Sequence, residues 1–348
     1  MKNFMVKWIR GFFLLGLFIP FSLQSQVLKG ELGLNYFFDN TEFSSSTLTI
    51  DQTMKGVHLI PGVAVEWDKN NSLHGGTDLL NISGSQKTIE KIDLVAYYQF
   101  QSRKTLFRAG SFPRQNILSN YSDFFFKDSI RYFRPNLQGL FWQVSNPTSF
   151  FNLWLDWTGH QTATQRESFF IGASANKRQH LFFADFQSYM FHYANTAPRN
   201  PEYHVCDNLL AHLSAGVDLT SLTQLDTLMF AVGILEGFER ERGMDNMTFT
   251  PSGLVVRNEI EYGKVGVSNT LYWGDARMKL YEKHGWNLYW SNPFLRSGSY
   301  FESKWYWNML KNSYVNGKLA MEFHVSEGKV FFEQLFTLSA SVDKLLKK

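Results

Sequence analysis

Apolar and polar positions alternate with a period of two in runs of about ten residues through most of the chain. Between Glu90 and Gln101, Ile92, Leu94, Ala96, Tyr98 and Phe100 share one face, and Lys91, Asp93, Tyr97 and Gln99 share the other. Phe151, Leu153, Leu155 and Trp157 oppose Asn152, Trp154, Asp156 and Thr158 in the same way. Leu319, Met321, Phe323 and Val325 oppose Lys318, Ala320, Glu322 and His324, and Arg257, Glu259 and Glu261 fall on one side of Val255 to Tyr262. A helix would scatter those charges around its circumference, so these runs read as strands. About 16 strands are predicted. They begin near Gly30, His58, Leu73, Glu90, Leu106, Leu137, Ser149, Ser168, Gln179, Asn208, Asp226, Gly253, Val265, Tyr300, Gly317 and Lys329.

The spacers between these runs take turns in length. Short ones are Asp68 to Asn71, Ser102 to Lys104, Ser145 to Pro147, Asn176 to Arg178 and Tyr262 to Lys264. Long ones are Asn40 to Gly56, Phe112 to Asn136, Gly159 to Glu167, Tyr193 to Asp207, Arg240 to Ser252 and Arg277 to Ser299, with Ser326 to Gly328 the main exception. Outer-membrane barrels have short periplasmic turns and longer external loops, whereas a soluble sandwich has no reason to sort its loops. Strands facing hydrocarbon must pair every backbone polar group, and only closure removes the last two edges. The expected fold is therefore all-β, a closed antiparallel up-and-down transmembrane β-barrel of about 16 strands (roughly 14 to 18).

Composition agrees with half-lipid, half-water strands. Aromatics reach 17%, with 33 Phe, 15 Tyr and 10 Trp, yet mean hydropathy is slightly polar at −0.24. A soluble barrel packed internally with Phe and Trp is the other source of such numbers. Tyr36-Phe37-Phe38, Trp154 with Trp157, Tyr272-Trp273 and Trp305-Tyr306-Trp307 lie near strand ends, where interfacial girdles are expected. At the N-terminus, Lys2, Lys7 and Arg10 precede the apolar run Gly11 to Phe21, which is too short to span a bilayer, and Ser22 and Ser25 follow. Residues 1–25 read as a signal peptide and residues 26–348 as a single barrel domain, exported to the outer membrane of a Gram-negative cell. Beyond it Asp, Lys, Asn or Gly interrupts every apolar run, which excludes membrane helices. Cys206 is the single cysteine, so no internal disulfide forms, and a net charge of +3 is too small to argue for nucleic acid.

From Pro61 to Arg242 the chain resembles porin-like outer-membrane β-barrel proteins of the Bacteroidota. The matching pieces are Pro61 to Leu80 (PGVAVEW…NSLHGGTDLL), Leu94 to Phe100 (LVAYYQF), Arg108 to Arg114 (RAGSFPR), Leu155 to Gly159 (LDWTG), Met190 to Ala194 (MFHYA) and Asp207 to Leu210 (DNLL). The resemblance implies an outer-membrane barrel and carries no substrate or catalytic residues. One departure is the polar tail past Phe336, Asp343 to Lys348, where many such barrels end on an aromatic residue.

The expected function is a porin-like channel for passive diffusion of small polar solutes. Expected partners are outer-membrane lipid and the barrel assembly machinery, with the oligomeric state left open. Alternation points Glu31, Lys91, Asp93, Arg108, Asp156, His212, Asp218, Arg257, Glu259, Glu261, Glu302, Lys304 and Glu322 into the lumen, where opposite charges set a transverse field. The spacer Phe112 to Asn136 combines Arg114, Lys127, Arg131 and Arg134 with Asp123, Asp128 and the apolar block Phe124-Phe125-Phe126. Such a block is unfavourable in bulk water, so the loop is expected to fold inward as a constriction; packing over the barrel mouth is the alternative. No cofactor or metal is expected, and the chain is not expected to be an enzyme. None of its nine histidines sits in a metal-ligating spacing, and no nucleophile elbow occurs. His212 and Asp218 are six residues apart on one strand, about 20 Å, too far for a dyad. A receptor or scaffold barrel and, more weakly, a barrel hydrolase are the alternatives.

Overall fold

In the computed structural model, which describes residues 26–347, the alternating runs close into one antiparallel barrel. The strands are β1 (Val27–Glu42), β2 (Gln52–Glu66), β3 (Asn71–Ile82), β4 (Lys91–Gln101), β5 (Thr105–Pro113), β6 (Asn136–Asn146), β7 (Ser149–Gly159), β8 (Ser168–Gln179) and β9 (Phe182–Tyr193). They continue as β10 (Cys206–Asp218), β11 (Thr227–Glu241), β12 (Thr248–Phe249), β13 (Ser252–Tyr262), β14 (Val265–Gly274), β15 (Ser299–Lys311), β16 (Val315–Ser326) and β17 (Lys329–Lys347). Neighbours in sequence pair, and β1 pairs with both β2 and β17, which closes the ring. The two-residue β12 is a flap on β11, whose long partner is β13, so sixteen strands make the wall.

Three strand starts differ from expectation, the first being β1, which opens at Val27 rather than Gly30. Gln52 to Val57 continue the ladder opposite Tyr36 to Thr41, so β2 begins before His58. Gln179 ends β8, and β9 opens at Phe182. The polar tail does not leave the barrel: the end of β17 pairs with the start of β1, Leu28 opposite Lys347. The expected signal peptide, residues 1–25, lies outside the described residues.

The period of two decides what faces lipid. Ile92, Leu94, Leu213, Ile234 and Trp305 are each more than half exposed on the outer wall. Their sequence neighbours His212, Leu235 and Tyr306 are buried within. An apolar band of this extent is stable only in hydrocarbon. The girdle prediction holds for Trp157, Trp273, Trp305 and Trp307 and fails for Phe37, Trp154, Tyr272 and Tyr306, which are buried inside. Adjacent residues on a strand point to opposite faces, so an aromatic pair cannot both face lipid. Gly172 on β8 explains how Trp154 fits: a Cβ there would collide with its indole ring.

Two loops fill the external part of the lumen. The first joins β5 to β6 and carries α1 (Gln115–Leu118), a 3-10 turn at Asp123–Phe125 and α2 (Asp128–Phe133). The second joins β14 to β15 and carries α3 (Tyr281–His284). Phe124, Phe125 and Phe126 are buried in a cluster with Phe170, Tyr189, Phe191, Trp154 and Trp290. Burying each ring gains roughly 1.5–3 kcal/mol, which draws the loop inward. The loops also bond directly: Lys127 N–H donates to the Trp290 carbonyl at 3.0 Å and Asn292 N–H to the Phe124 carbonyl at 3.0 Å. Among the described residues no helix is long and apolar enough to cross a membrane.

Leu213→Arg, on the lipid face mid-strand, should cost about 2–4 kcal/mol of barrel stability in bilayers. Leu222→Arg, on the exposed β10–β11 connection, should cost nothing measurable. Urea unfolding in lipid vesicles reads both, and equal losses would contradict the lipid-facing assignment.

Candidate functional site

The residues expected to line a pore separate into three groups. Nearest the outside, Lys91, Asp93, Arg114, Arg134 and Asp156 border a cavity of about 130 Å³. Lys91 pairs with Asp93 at 2.7 Å and the buried Arg114 with the buried Asp156 at 2.6 Å. Arg114 also donates through Nε to the Arg134 carbonyl at 2.9 Å and through Nη2 to the Asn136 carbonyl at 3.0 Å, so it fastens both ends of the infolded loop. In mid-lumen Arg131 meets Asp123 at 2.9 Å and Asp128 at 3.5 Å, while Lys127 lies over the Trp286 ring. The Lys304 ammonium beside Asp123 holds that carboxyl well below the usual carboxylate range. Towards the short-turn end, a cavity of about 670 Å³ is bordered by Arg257, Glu259, Lys304 and Lys318. Arg257 donates to the Ser122 hydroxyl at 2.5 Å, and the Tyr306 hydroxyl donates to Glu261 at 2.9 Å with Glu259 3.2 Å away as the other acceptor within reach. Arg108 is outside all three groups, bonded to Gln99 at 2.8 Å and stacked near Tyr97 and Phe112.

The loop is pinned as well as packed. Tyr121 OH lies 2.9 and 2.8 Å from the wall carbonyls of Ala173 and Ser188 and accepts from Trp154 Nε1 at 2.9 Å. Burial pushes the Tyr121 phenol pKa far up, so it stays a neutral donor. The expected infolding of residues 112–136 is present, and the space it leaves is divided between cavities above and below it.

A second constellation sits on the opposite face of the wall and was not predicted. Strand pairing aligns Trp157, Phe169, His192, Asp207 and Arg240 in one row across β7 to β11. Trp157 is 43% exposed, and Phe182, Phe186 and Leu213, on the same faces of β9 and β10, are exposed too, so the row looks outward. It lies at the end of the wall that carries the long loops. There His192 Nδ1 meets Asp207 Oδ1 at 2.9 Å. Asp207 Oδ2 accepts from Arg240 at 2.7 Å and from Arg242 at 2.8 Å. Asp207 is 4% exposed, whereas Arg240 and Arg242 keep 37% and 48% exposure, so both guanidiniums retain free N–H groups. The His192 ring leans on Phe169, with centroids 4.9 Å apart. With Nδ1 fixed by a carboxylate, Nε2 is the nitrogen left to take a proton from water. Beside the row, Arg199, His204 and Arg242 border a cavity of about 510 Å³. The signal for this site was a break in the rule that outward positions are apolar: His192 and Asp207 fall on the lipid-facing parity.

A third group is chemically suggestive and mechanically unsuitable. Cys206 Sγ and Glu241 Oε2 each lie 3.3 Å from the same nitrogen, His284 Nε2, so the ring cannot relay a proton between them. Cys206 is fully buried, and burial pushes the His284 imidazole pKa down.

The sequence model of the lipid A 3′-O-deacylase-type family matches residues 22–348. No curated protein matches the chain. Among solved structures, the in-vitro folded, trimer form of OmpT, an outer-membrane protein of Vibrio cholerae, is similar at a TM-score of 0.54 and 6% identity over 92% of this chain and 100% of that one. The loop L8 deletion mutant of the same protein gives a TM-score of 0.52 at 7% identity, again over 92% and 100%. OccK11 of Pseudomonas aeruginosa follows at 0.47 and 9%, over 91% and 96%. At these identities the likeness lies in the fold, that of an outer-membrane barrel. The expectation that the chain is no enzyme is overturned, because the family it matches is an enzyme family.

Arg114→Ala should strand Asp156 as a buried, unpaired charge and cost about 3–5 kcal/mol. The measurable result is a lower unfolding midpoint together with protease cleavage within residues 114–135. A loop that stays protected at wild-type stability would contradict the anchoring role.

Proposed function

The chain belongs to the lipid A 3′-O-deacylase-type family, and from that premise we propose that it hydrolyses a 3′-O-linked acyl ester of lipid A in the outer leaflet, using the rim on its outer wall. The observation that carries this reading is the outward His192–Asp207 pair, clamped by Arg240 and Arg242. An acyl ester of an outer-leaflet glycolipid sits where headgroup meets hydrocarbon, which is the level of a polar row above an apolar band. The pocket beside it is basic, with Arg199, His204 and Arg242 on its border, and suits a phosphorylated sugar. Phe169 and Trp157 offer flat apolar walls to acyl chains.

The chemistry needs one proton carrier and one positive field. His192 Nε2 takes a proton from water as the water oxygen bonds to the acyl carbon. The carbonyl oxygen becomes an oxyanion, which the free N–H groups of Arg240 and Arg242 stabilise. As the intermediate collapses, the bond from acyl carbon to sugar oxygen breaks, and the imidazolium returns its proton to that oxygen. The products are a fatty acid and a free 3′-hydroxyl. Asp207 keeps the ring in the tautomer with a basic Nε2 and stabilises the transient imidazolium.

Passive diffusion of small polar solutes, with lumen charges and the 112–136 loop as constriction, is the second reading. The polar cavity of about 670 Å³ on the short-turn side favours it, and both activities could share one barrel.

Refolded protein in vesicles containing lipid A should release fatty acid, detected by mass spectrometry. His192→Asn and Asp207→Asn should each lower the rate roughly 100-fold or more with the barrel still folded. Wild-type inactivity would sink the hydrolase reading, and unaltered rates in both variants would remove the rim from it.

A further inference from the structure

The cavity of about 670 Å³ at the short-turn end of the lumen takes no part in hydrolysis at the rim, and its charges are unevenly committed. Pro147 and Thr148, the exposed residues that join β6 to β7, stand on its border, so solvent enters from that end. Each of the carboxylates on its border has a donor in reach. Asp123 pairs with Arg131 at 2.9 Å and with Lys304 at 3.3 Å, and Glu302 accepts from the Tyr300 hydroxyl at 2.6 Å. Asp185 accepts from Asn176 Nδ2, and Glu259 lies 3.2 Å from the Tyr306 hydroxyl.

The cations are not all matched in this way. Arg178 pairs with Asp218 and Lys304 with Glu322. Among the described residues, neither Arg257 nor Lys318 has a carboxylate within ion-pair distance, and both border the cavity. Lys318 Nζ sits 4.0 Å from the centre of the Tyr306 ring. Arg257 donates from Nη1 to the Ser122 hydroxyl at 2.5 Å, and that hydroxyl donates on to Gln187 Oε1 at 2.9 Å. The guanidinium is thus held at one corner, while its buried Nε has no hydrogen-bond partner.

The Nε side of a guanidinium fork matches the two oxygens of a carboxylate in parallel bonds. Lys318 adds a second positive charge without directional demand. Asp185 and Glu259 act on Arg257 from beyond ion-pair distance, which disfavours a doubly charged ligand. The volume exceeds that of a bare ion and falls in the small-molecule range of about 300–1,000 Å³. Neutral groups complete the border. Thr270 stands opposite Arg257 and Ser268 opposite Glu259 in the β13–β14 register, and Gln143 comes from β6. Among the described residues none of these three side chains holds a hydrogen bond, so all are open to hydroxyl groups.

We propose that this cavity binds a small monoanionic sugar acid, its carboxylate on Arg257 in the field of Lys318 and its hydroxyls on Thr270, Ser268 and Gln143. The site is separate from the rim and presumes no passage of solute across the barrel.

The test uses the full refolded chain in detergent at low ionic strength, titrated with sodium glucuronate by calorimetry. Equilibrium dialysis with radiolabelled glucuronate gives a second measure of the same binding. Wild type should bind one glucuronate, more weakly in about 0.5 M sodium chloride. Glucose, which keeps the hydroxyls and lacks the charge, should bind roughly tenfold or more weakly. Inorganic phosphate, mostly dianionic in mildly alkaline buffer, should also bind more weakly. Arg257→Gln and Lys318→Met, checked for folding by heat-modifiable gel mobility, should each lower the affinity, by roughly tenfold or more for Arg257→Gln. If Arg257→Gln does not fold, Lys318→Met carries the test. No glucuronate binding by wild type in either measurement would overturn the proposal. Glucose or phosphate binding as tightly as glucuronate, or wild-type affinity in every folded variant, would overturn it equally.

Discussion

Hydrocarbon cannot hydrogen-bond, and that single fact organises this molecule. Every backbone N–H and C=O along sixteen strands must find a partner in the wall, so β1 has to meet β17. Closure then divides the side chains into two populations by parity alone. One set faces lipid and must be apolar. The other faces inward, where its neighbours are whatever the loops bring.

What the loops bring is an aromatic core rather than open water. Phe124 to Phe126, Trp290 and Phe294 pack against Phe170, Tyr189 and Tyr300 from the wall. Polar groups trapped around that core become ion pairs and short hydrogen bonds, as with Arg114 and Asp156. An inward charge on this barrel therefore acts first on loop position. The outer wall, by contrast, carries the polar row of His192, Asp207 and Arg240 at the end with the long loops.

Much of the wall was legible in the sequence, because a period of two and a sorting of loop lengths are one-dimensional signals. The sixteen strands followed from them, three with shifted starts, and the apolar block at Phe124 gave the infolded loop. What escaped was whatever depends on pairing between distant strands. His192 and Asp207 are fifteen residues apart in sequence and opposite one another only through the β9–β10 register. Tyr36 meets Phe336 only because the barrel closes. Neither contact has a sequence spacing to read. The lipid-facing parity of His192 was the available clue. Aromatic pairs such as Tyr272-Trp273 misled for the opposite reason, since proximity in sequence puts the two rings on different faces.

Residue 192 looks out of the barrel, on the face that Phe182 and Phe186 expose. A nitroxide attached at His192→Cys, in a Cys206→Ala background, reports this directly through its collisions with dissolved oxygen and a water-soluble nickel chelate in bilayers. The label at 192 should make strong contact with lipid-dissolved oxygen at a shallow depth, and a label at Phe191→Cys should be screened from both reagents. A label at 192 that is shielded from lipid, yet reached by the nickel chelate through the lumen, would contradict it.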